Sequence, residues 1–140
     1  MSRVFWDTNI FIYFFEDHGQ QGKSARGLRE RMLQRGDQLI TSAMSVGEIL
    51  VKPQERQDHN LCRQYEEAIT STALVLPFDL NAARRFSTLR IDHSLRAPDA
   101  IQLACAAAAG IDLFITNDNR LSALRVDGIQ FVVSLDRSPL

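Results

Sequence analysis

The feature that most constrains this chain is a series of short, uninterrupted apolar runs, each separated from the next by helix-patterned sequence. Five such runs stand out: RVFW at 3 to 6, QLIT at 38 to 41, ALVLPF at 73 to 78, LFIT at 113 to 116 and FVV at 131 to 133. None alternates apolar with polar residues, so each needs cover on both faces, which is the environment of a parallel sheet clad by helices. The segments between them supply those helices. NIFIYFFE reads as one, with Thr8 or Asn9 near its cap, and residues 22 to 35 as a basic amphipathic one ended by Gly36. SAMSVGEILVK reads as a third, halted by Pro53, and residues 57 to 72 as a fourth with Leu61, Tyr65, Ala68 and Ile69 on one side. A fifth follows Asp79, a natural N-cap, and Pro98 opens a sixth that runs to Gly110. A chain of 140 residues is the size of one domain, here 1 to 140, with enough core to do without disulfides.

In an open parallel sheet the working crevice lies beyond the carboxyl ends of the strands, where strand order reverses. Two acids fall in such places: Asp7 directly ends the first strand, and Asp118 follows the fourth by two residues. Two more sit on the covering helices. Glu48 is mid-helix, with Met44 and Val51 on its own face, and a carboxylate there is costly to leave dry and unpaired; exposure at a helix rim accounts for it equally well. Asp99 lies in the first turn of a helix whose only polar residue over the next ten is Gln102, where an acid also suits the helix dipole. Asp118 in TNDNRLSAL would serve equally as a turn or cap residue. Asp7 has the weakest structural excuse, having no evident cap or dipole to serve. Four carboxylates on one crevice repel one another at neutral pH, and a hard divalent ion with oxygen ligands, magnesium or manganese, removes that repulsion. The two cysteines, Cys62 and Cys105, and three histidines show no zinc-like spacing.

DTNIFIY at 7 to 13, SVGEIL at 45 to 50, LRAPDAIQLACA at 95 to 106 and LFITNDNRL at 113 to 121 together resemble the PIN-domain family, in particular the VapC-like toxins of bacterial toxin–antitoxin pairs. The resemblance covers nearly the whole chain. It implies a three-layer α/β/α fold around a five-stranded parallel sheet, and magnesium- or manganese-dependent endoribonuclease activity. The family's acidic quartet falls on Asp7, Glu48, Asp99 and Asp118, with Thr116 and Asn9 as polar accessories. Asp7 and Asp99 are the expected principal metal ligands, with Asp118 completing the site and Glu48 either ligating or orienting water. The resemblance also implies a homodimer and a cognate antitoxin protein.

The formal net charge of −1 conceals a basic segment, Lys23, Arg26, Arg29, Arg31 and Arg35, and a second group, Arg84, Arg85, Arg90 and Arg96. Arg26, Arg29, Arg31 and Arg35 are therefore candidate RNA contacts, weighed against an ordinary solvated helix face. The first apolar stretch is broken by Asp7 and Asn9, unlike a signal peptide, and no run has membrane-spanning length, so a cytoplasmic protein is expected. Three other readings compete: a free-standing RNA-processing nuclease of the same family, a non-catalytic RNA-binding or scaffold domain, and a haloacid-dehalogenase-type phosphatase. The last is weakened by Asn9, which stands where that class carries a second aspartate.

Overall fold

The structure is a computed structural model that describes residues 1–16 and 19–140. Five strands, β1 (Arg3–Trp6), β2 (Gln38–Ser42), β3 (Leu74–Leu76), β4 (Ile111–Thr116) and β5 (Ile129–Ser134), form one all-parallel sheet in the order β3-β2-β1-β4-β5. The helices are α1 (Thr8–Glu16), α2 (Gln20–Arg35), α3 (Ala43–Glu55), α4 (His59–Thr72), α5 (Leu80–Leu89) and α6 (Ala97–Ala109), with a 3₁₀ turn at Leu135–Arg137. From β1 the chain steps outward to β2 and β3, then returns across β1 to place β4 and β5 on its other side. The order therefore reverses between β1 and β4, which pair with Phe5 opposite Phe114 and Trp6 opposite Ile115.

The two-residue period of a strand divides the core into the two halves that the apolar runs require. Val4 and Trp6 face one side, against Ile10 and Phe11 of α1, Leu28 and Met32 of α2, Ile49 of α3 and Ile69 of α4. Phe5 faces the other, stacked on Phe114 at 4.8 Å between ring centres and packed with Leu103, Ala106 and Ala107 of α6. This is the three-layer α/β/α arrangement expected.

Several boundaries differ from the sequence reading by one or two residues, and two differences centre on a proline. α3 runs through Pro53 to Glu55 instead of stopping before it. Pro53 forfeits the amide bond that its position would give to the Ile49 carbonyl, and the burial of its ring offsets that loss. β3 is only Leu74–Leu76, because Pro77 follows and cannot donate to a ladder. Asp79 caps α5 as the sequence indicates, accepting from the Ala82 amide at 2.9 Å. No helix among the described residues is long and apolar enough to cross a membrane.

Gly128, just before β5, fixes how closely the end of α6 approaches the sheet. Its φ is +97°, and a Cβ there would stand 2.3 Å from the Ala107 carbonyl oxygen. Gly128→Ala should therefore destabilise the fold by about 2 kcal/mol or more, read as a lower denaturant midpoint at unchanged m-value; a midpoint within error of wild type would show that β5 tolerates the displacement.

Candidate active site

At the carboxyl end of β1 the chain passes straight from strand to helix. The Asp7 amide still donates to the Ile115 carbonyl of β4, at 3.0 Å, while its own carbonyl accepts from Ile10 at 3.1 Å. Asp7 thus stands immediately before α1, and its Oδ1 accepts from the Thr8 amide at 2.9 Å, one residue short of the amides that a capping side chain takes. The positive end of α1 adds to that contact. On the other oxygen, Oδ2 accepts from the Thr116 hydroxyl at 2.8 Å. Thr116 closes β4, and its Oγ1 in turn accepts from the Asp118 amide at 3.1 Å. One hydroxyl therefore ties the acid after β1 to the acid after β4, across the point of strand reversal.

A second set of polar groups backs Asp7 from the helices. Gln102 of α6, 1% exposed, donates through Nε2 to Asp7 Oδ1 at 3.3 Å, Thr8 Oγ1 at 3.1 Å and Ser45 Oγ at 2.7 Å. Its Oε1 accepts from Ser42, the residue that caps α3. Thr41 completes the set by donating to Ser45 at 2.8 Å. Sequence reading assigns no site role to Thr8, Ser42, Ser45 or Gln102. The available signal is Gln102 itself, the lone polar residue after Asp99 in an alanine-rich helix, three positions beyond it and so on the same face.

The other three acids reach the same mouth. Glu48 accepts from the Thr8 hydroxyl at 2.6 Å. It is exposed at the rim and not enclosed, because Gly47 and Glu48 lie on the open side of α3 while Ser45 and Ile49 take the buried one. Asp99 and Asp118 are partly buried, their side chains 14% and 18% exposed. Two arginines bridge them. Arg120 forks onto Asp118 with Nε at 3.0 Å and Nη2 at 2.6 Å, and its Nη2 lies 3.9 Å from Asp99. Arg96 donates to Asp99 at 3.1 Å and lies 3.9 Å from Asp118. The Asn9 side of α1 is exposed.

The candidate RNA-contact arginines of α2 are scattered. Arg35 pairs with Asp37 at 2.8 Å, and Asp37 also accepts from the Ser2 amide, which puts Arg35 at the amino ends of the strands, opposite the acids. Arg31 donates to the Leu140 carbonyl at 2.9 Å. Arg26 and Arg29 are half-buried. Arg85 of α5 donates to the Asp127 carbonyl, and Arg90 sits over the Phe86 ring.

The electrostatics distinguish Asp7 from its neighbours. The guanidinium of Arg120 holds Asp118 below the usual carboxylate range. Asp7 is pushed upward, chiefly by burial and further by the charges of Asp99 and Glu48, against the opposing hydrogen bonds from Thr116 and Thr8. Its donors are all neutral, so it is the one acid of the four that is both enclosed and short of positive charge. That is the setting in which a cation is most favourable. The donor set, four carboxylates and a hydroxyl, is all oxygen and suits a hard divalent ion. Among the described residues no three acidic, histidine or cysteine side chains are drawn together tightly enough to hold an ion as they stand; the arginines occupy the gap between Asp99 and Asp118.

Comparison with known proteins decides the family. A model of the PIN domain matches residues 4–127. The chain belongs to the PIN-domain family. Solved structures share the PIN fold over nearly the full length. A chain of the VapBC2 complex of Rickettsia felis, bound to promoter DNA, aligns with a TM-score of 0.74 at 14% identity, covering 94% of this chain and 97% of that one. A chain of DNA-bound VapBC from Salmonella typhimurium gives 0.73 at 20%, covering 96% and 99%. VapC20 of Mycobacterium tuberculosis, described as a toxin cleaving the sarcin–ricin loop, gives 0.61 at 15%, covering 79% and 86%. A search of curated protein sequences found no match. Membership of the PIN family sets aside the phosphatase reading.

The raised pKa of Asp7 has a direct consequence for stability. A group whose folded pKa lies above its unfolded value favours folding only while protonated, so its penalty appears as pH rises through the folded pKa. In excess chelator at pH 7.5, Asp7→Asn, which keeps an acceptor for Thr8 and removes the charge, should raise the melting temperature by at least about 2 °C. The gain should shrink as pH is lowered toward 4; an Asp7→Asn variant no more stable than wild type at pH 7.5 would mean that the buried carboxylate carries no such penalty.

Proposed function

We propose that this PIN domain is an endoribonuclease that needs a divalent cation, magnesium or manganese, and that it is the toxin of a toxin–antitoxin pair. The observation that carries the reading is Asp7: a buried carboxylate with neutral partners only, at the strand-order reversal, within electrostatic reach of Asp99 and Glu48. Asp7 and Asp99 are the residues assigned to hold the cation, with Asp118 completing the site and Glu48 at its rim. When bound, such an ion lowers the pKa of a water and offsets charge on the leaving oxygen of a phosphodiester.

The chain's own residues do the rest. Thr116 and Gln102 keep the Asp7 carboxylate from rotating, so its free lone pairs stay aimed at the mouth. Glu48, exposed and already holding the Thr8 hydroxyl, is assigned either to ligate the cation or to orient the attacking water. Arg96 and Arg120, with side chains 61% and 59% exposed, keep guanidinium hydrogens beyond those given to the acids. These are assigned to the RNA phosphates, in preference to the scattered arginines of α2.

The toxin role is supported by the neighbours, which include chains of VapBC complexes and a VapC toxin, and it brings with it a cognate antitoxin and a cytoplasmic site of action on RNA. The likeness to VapC-like toxins also brings with it a homodimer.

Purified protein with manganese or magnesium should cut RNA internally, and Asp7→Asn should lose on the order of 100-fold or more of that activity while remaining folded. Cleavage that persists in excess chelator, or in the Asp7→Asn variant, would defeat the proposal. Arg120→Ala should weaken RNA binding and flatten the plot of log K against log salt by about 0.7, measured in the Asp7→Asn background so that the RNA survives; an unchanged slope would remove Arg120 from the phosphate contacts.

A further inference from the structure

The loop after β4 carries a cation into the midst of the acids. The Arg120 side chain forks back onto Asp118, two residues earlier: Nε donates to Oδ1 at 3.0 Å and Nη2 to Oδ2 at 2.6 Å. The Arg120 amide also donates to Oδ1, at 3.0 Å. One residue therefore engages both oxygens of Asp118. The same Nη2 stands 3.9 Å from Asp99 Oδ2, the oxygen to which Arg96 donates at 3.1 Å. Arg120 is thus shared between two of the acids assigned to the cation. Its side chain is 59% exposed, so core packing does not fix it there; charge and the bidentate fork do. Such a contact opens without disturbing the fold around it.

We infer that Arg120 is an internal competitor of the divalent cation: its guanidinium closes Asp118 and Asp99 to the ion and withdraws when the ion binds. The inference rests on the acid quartet being the cation site. Two considerations make the exchange exclusive. An ionised carboxylate has about four lone-pair directions to offer, and the three bonds from Arg120 take most of those of Asp118, whereas a hard divalent ion needs carboxylate oxygens directly. A guanidinium and a divalent ion held within about 4 Å also repel each other. Arg96 does not close the site in the same way, since it gives Asp99 one nitrogen and comes no nearer to Asp118 than 3.9 Å. Among the described residues no three acids are drawn together tightly enough for an ion; on this account a single exposed side chain keeps Asp99 and Asp118 apart, and its departure lets them converge. Once withdrawn, the guanidinium is available to the RNA phosphates assigned to it above.

Metal binding tests the inference without any cleavage. The full chain, stripped of metal, is titrated with magnesium; calorimetry gives the affinity, and the arginine Nε–H resonances report on the guanidinium groups. The Arg120 signal is the one missing from Arg120→Ala. In the metal-free wild type that hydrogen is held on a carboxylate and should resonate downfield. Magnesium should move it upfield, toward the position of a solvated arginine, in step with the binding isotherm. Arg120→Ala should bind magnesium about tenfold more tightly than wild type. Arg125→Ala, which removes an exposed arginine beside Ala107 at the far end of α6, should bind as wild type does. Saturation by magnesium with the Arg120 signal unmoved overturns the inference, as does an unchanged affinity in Arg120→Ala or an equal gain in Arg125→Ala. Weaker binding by Arg120→Ala overturns it as well, and makes Arg120 a brace that holds Asp118 for the ion. If neither wild type nor Arg120→Ala binds magnesium or manganese, the cation reading itself falls and this inference with it, an outcome distinct from all of the others.

Discussion

The hydrogen bond from the Thr116 hydroxyl to Asp7 is the contact on which the site depends. It joins the residue that ends β1's run to the residue that closes β4, the two strands between which the order reverses. A parallel sheet delivers all its strand ends to one edge, but that alone leaves the side chains of separate loops free to diverge. Thr116 removes this freedom for both acids at once, because the same oxygen that donates to Asp7 accepts from the Asp118 amide. The Thr8 amide and Gln102 complete the restraint on Asp7 from the helix side. A charge is thereby held in a place where burial opposes it, which a fold sustains only when the surrounding geometry leaves the group no alternative.

This explains why the acids are legible in the sequence and their partners less so. Asp7 stands out because a carboxylate has no place at the end of an apolar run, and the run itself is dictated by burial on both faces. Asp118 and Asp99 follow from the same logic of strand ends and helix starts. Glu48 belongs to the expected crevice but at a shallower depth than its apolar neighbours suggest: residues three and four positions away mark a helix face, and α3 turns that face only partly inward. The Pro53 boundary differs for a related reason: the lost amide bond is legible in the sequence, whereas the burial of the ring that offsets it comes from packing that no local pattern encodes. Gln102 carries a signal, a single amide in a row of alanines, whose meaning depends on Ser42 and Ser45 arriving at the start of α3, something no local pattern encodes.

The arginines show the same limit from the other side. A run of five basic residues looks like one surface in the sequence, yet a helix of 16 residues distributes them around its circumference and along roughly 24 Å of its length. Arg35 ends at the amino edge of the sheet, Arg31 holds the Leu140 carbonyl, and Arg29 buries one nitrogen. The arginines that do reach the acids are Arg96, the last of the second basic group, and Arg120, outside both groups; they are brought in by the loops before α6 and after β4.

The two positions 6 and 7 then place opposite demands on one short stretch of backbone. Trp6 points into the half of the core that α1, α2 and α4 cover, and Asp7, next in line, belongs to the polar edge; neither can shift without the other, because both are pinned to β4, Trp6 by its register with Ile115 and Asp7 by its amide on the Ile115 carbonyl. α1 starts immediately, so Phe11 and Phe15, which line one cavity together with Trp6, ride on the same helix whose first turn carries Thr8, the partner of Glu48 and Gln102. Any force on the aromatic side of α1 is therefore delivered to the polar side of its first turn over a single rigid element. Protein interiors transmit such displacements instead of absorbing them, and the acidic edge and the aromatic core are in that sense two faces of one strand-to-helix joint.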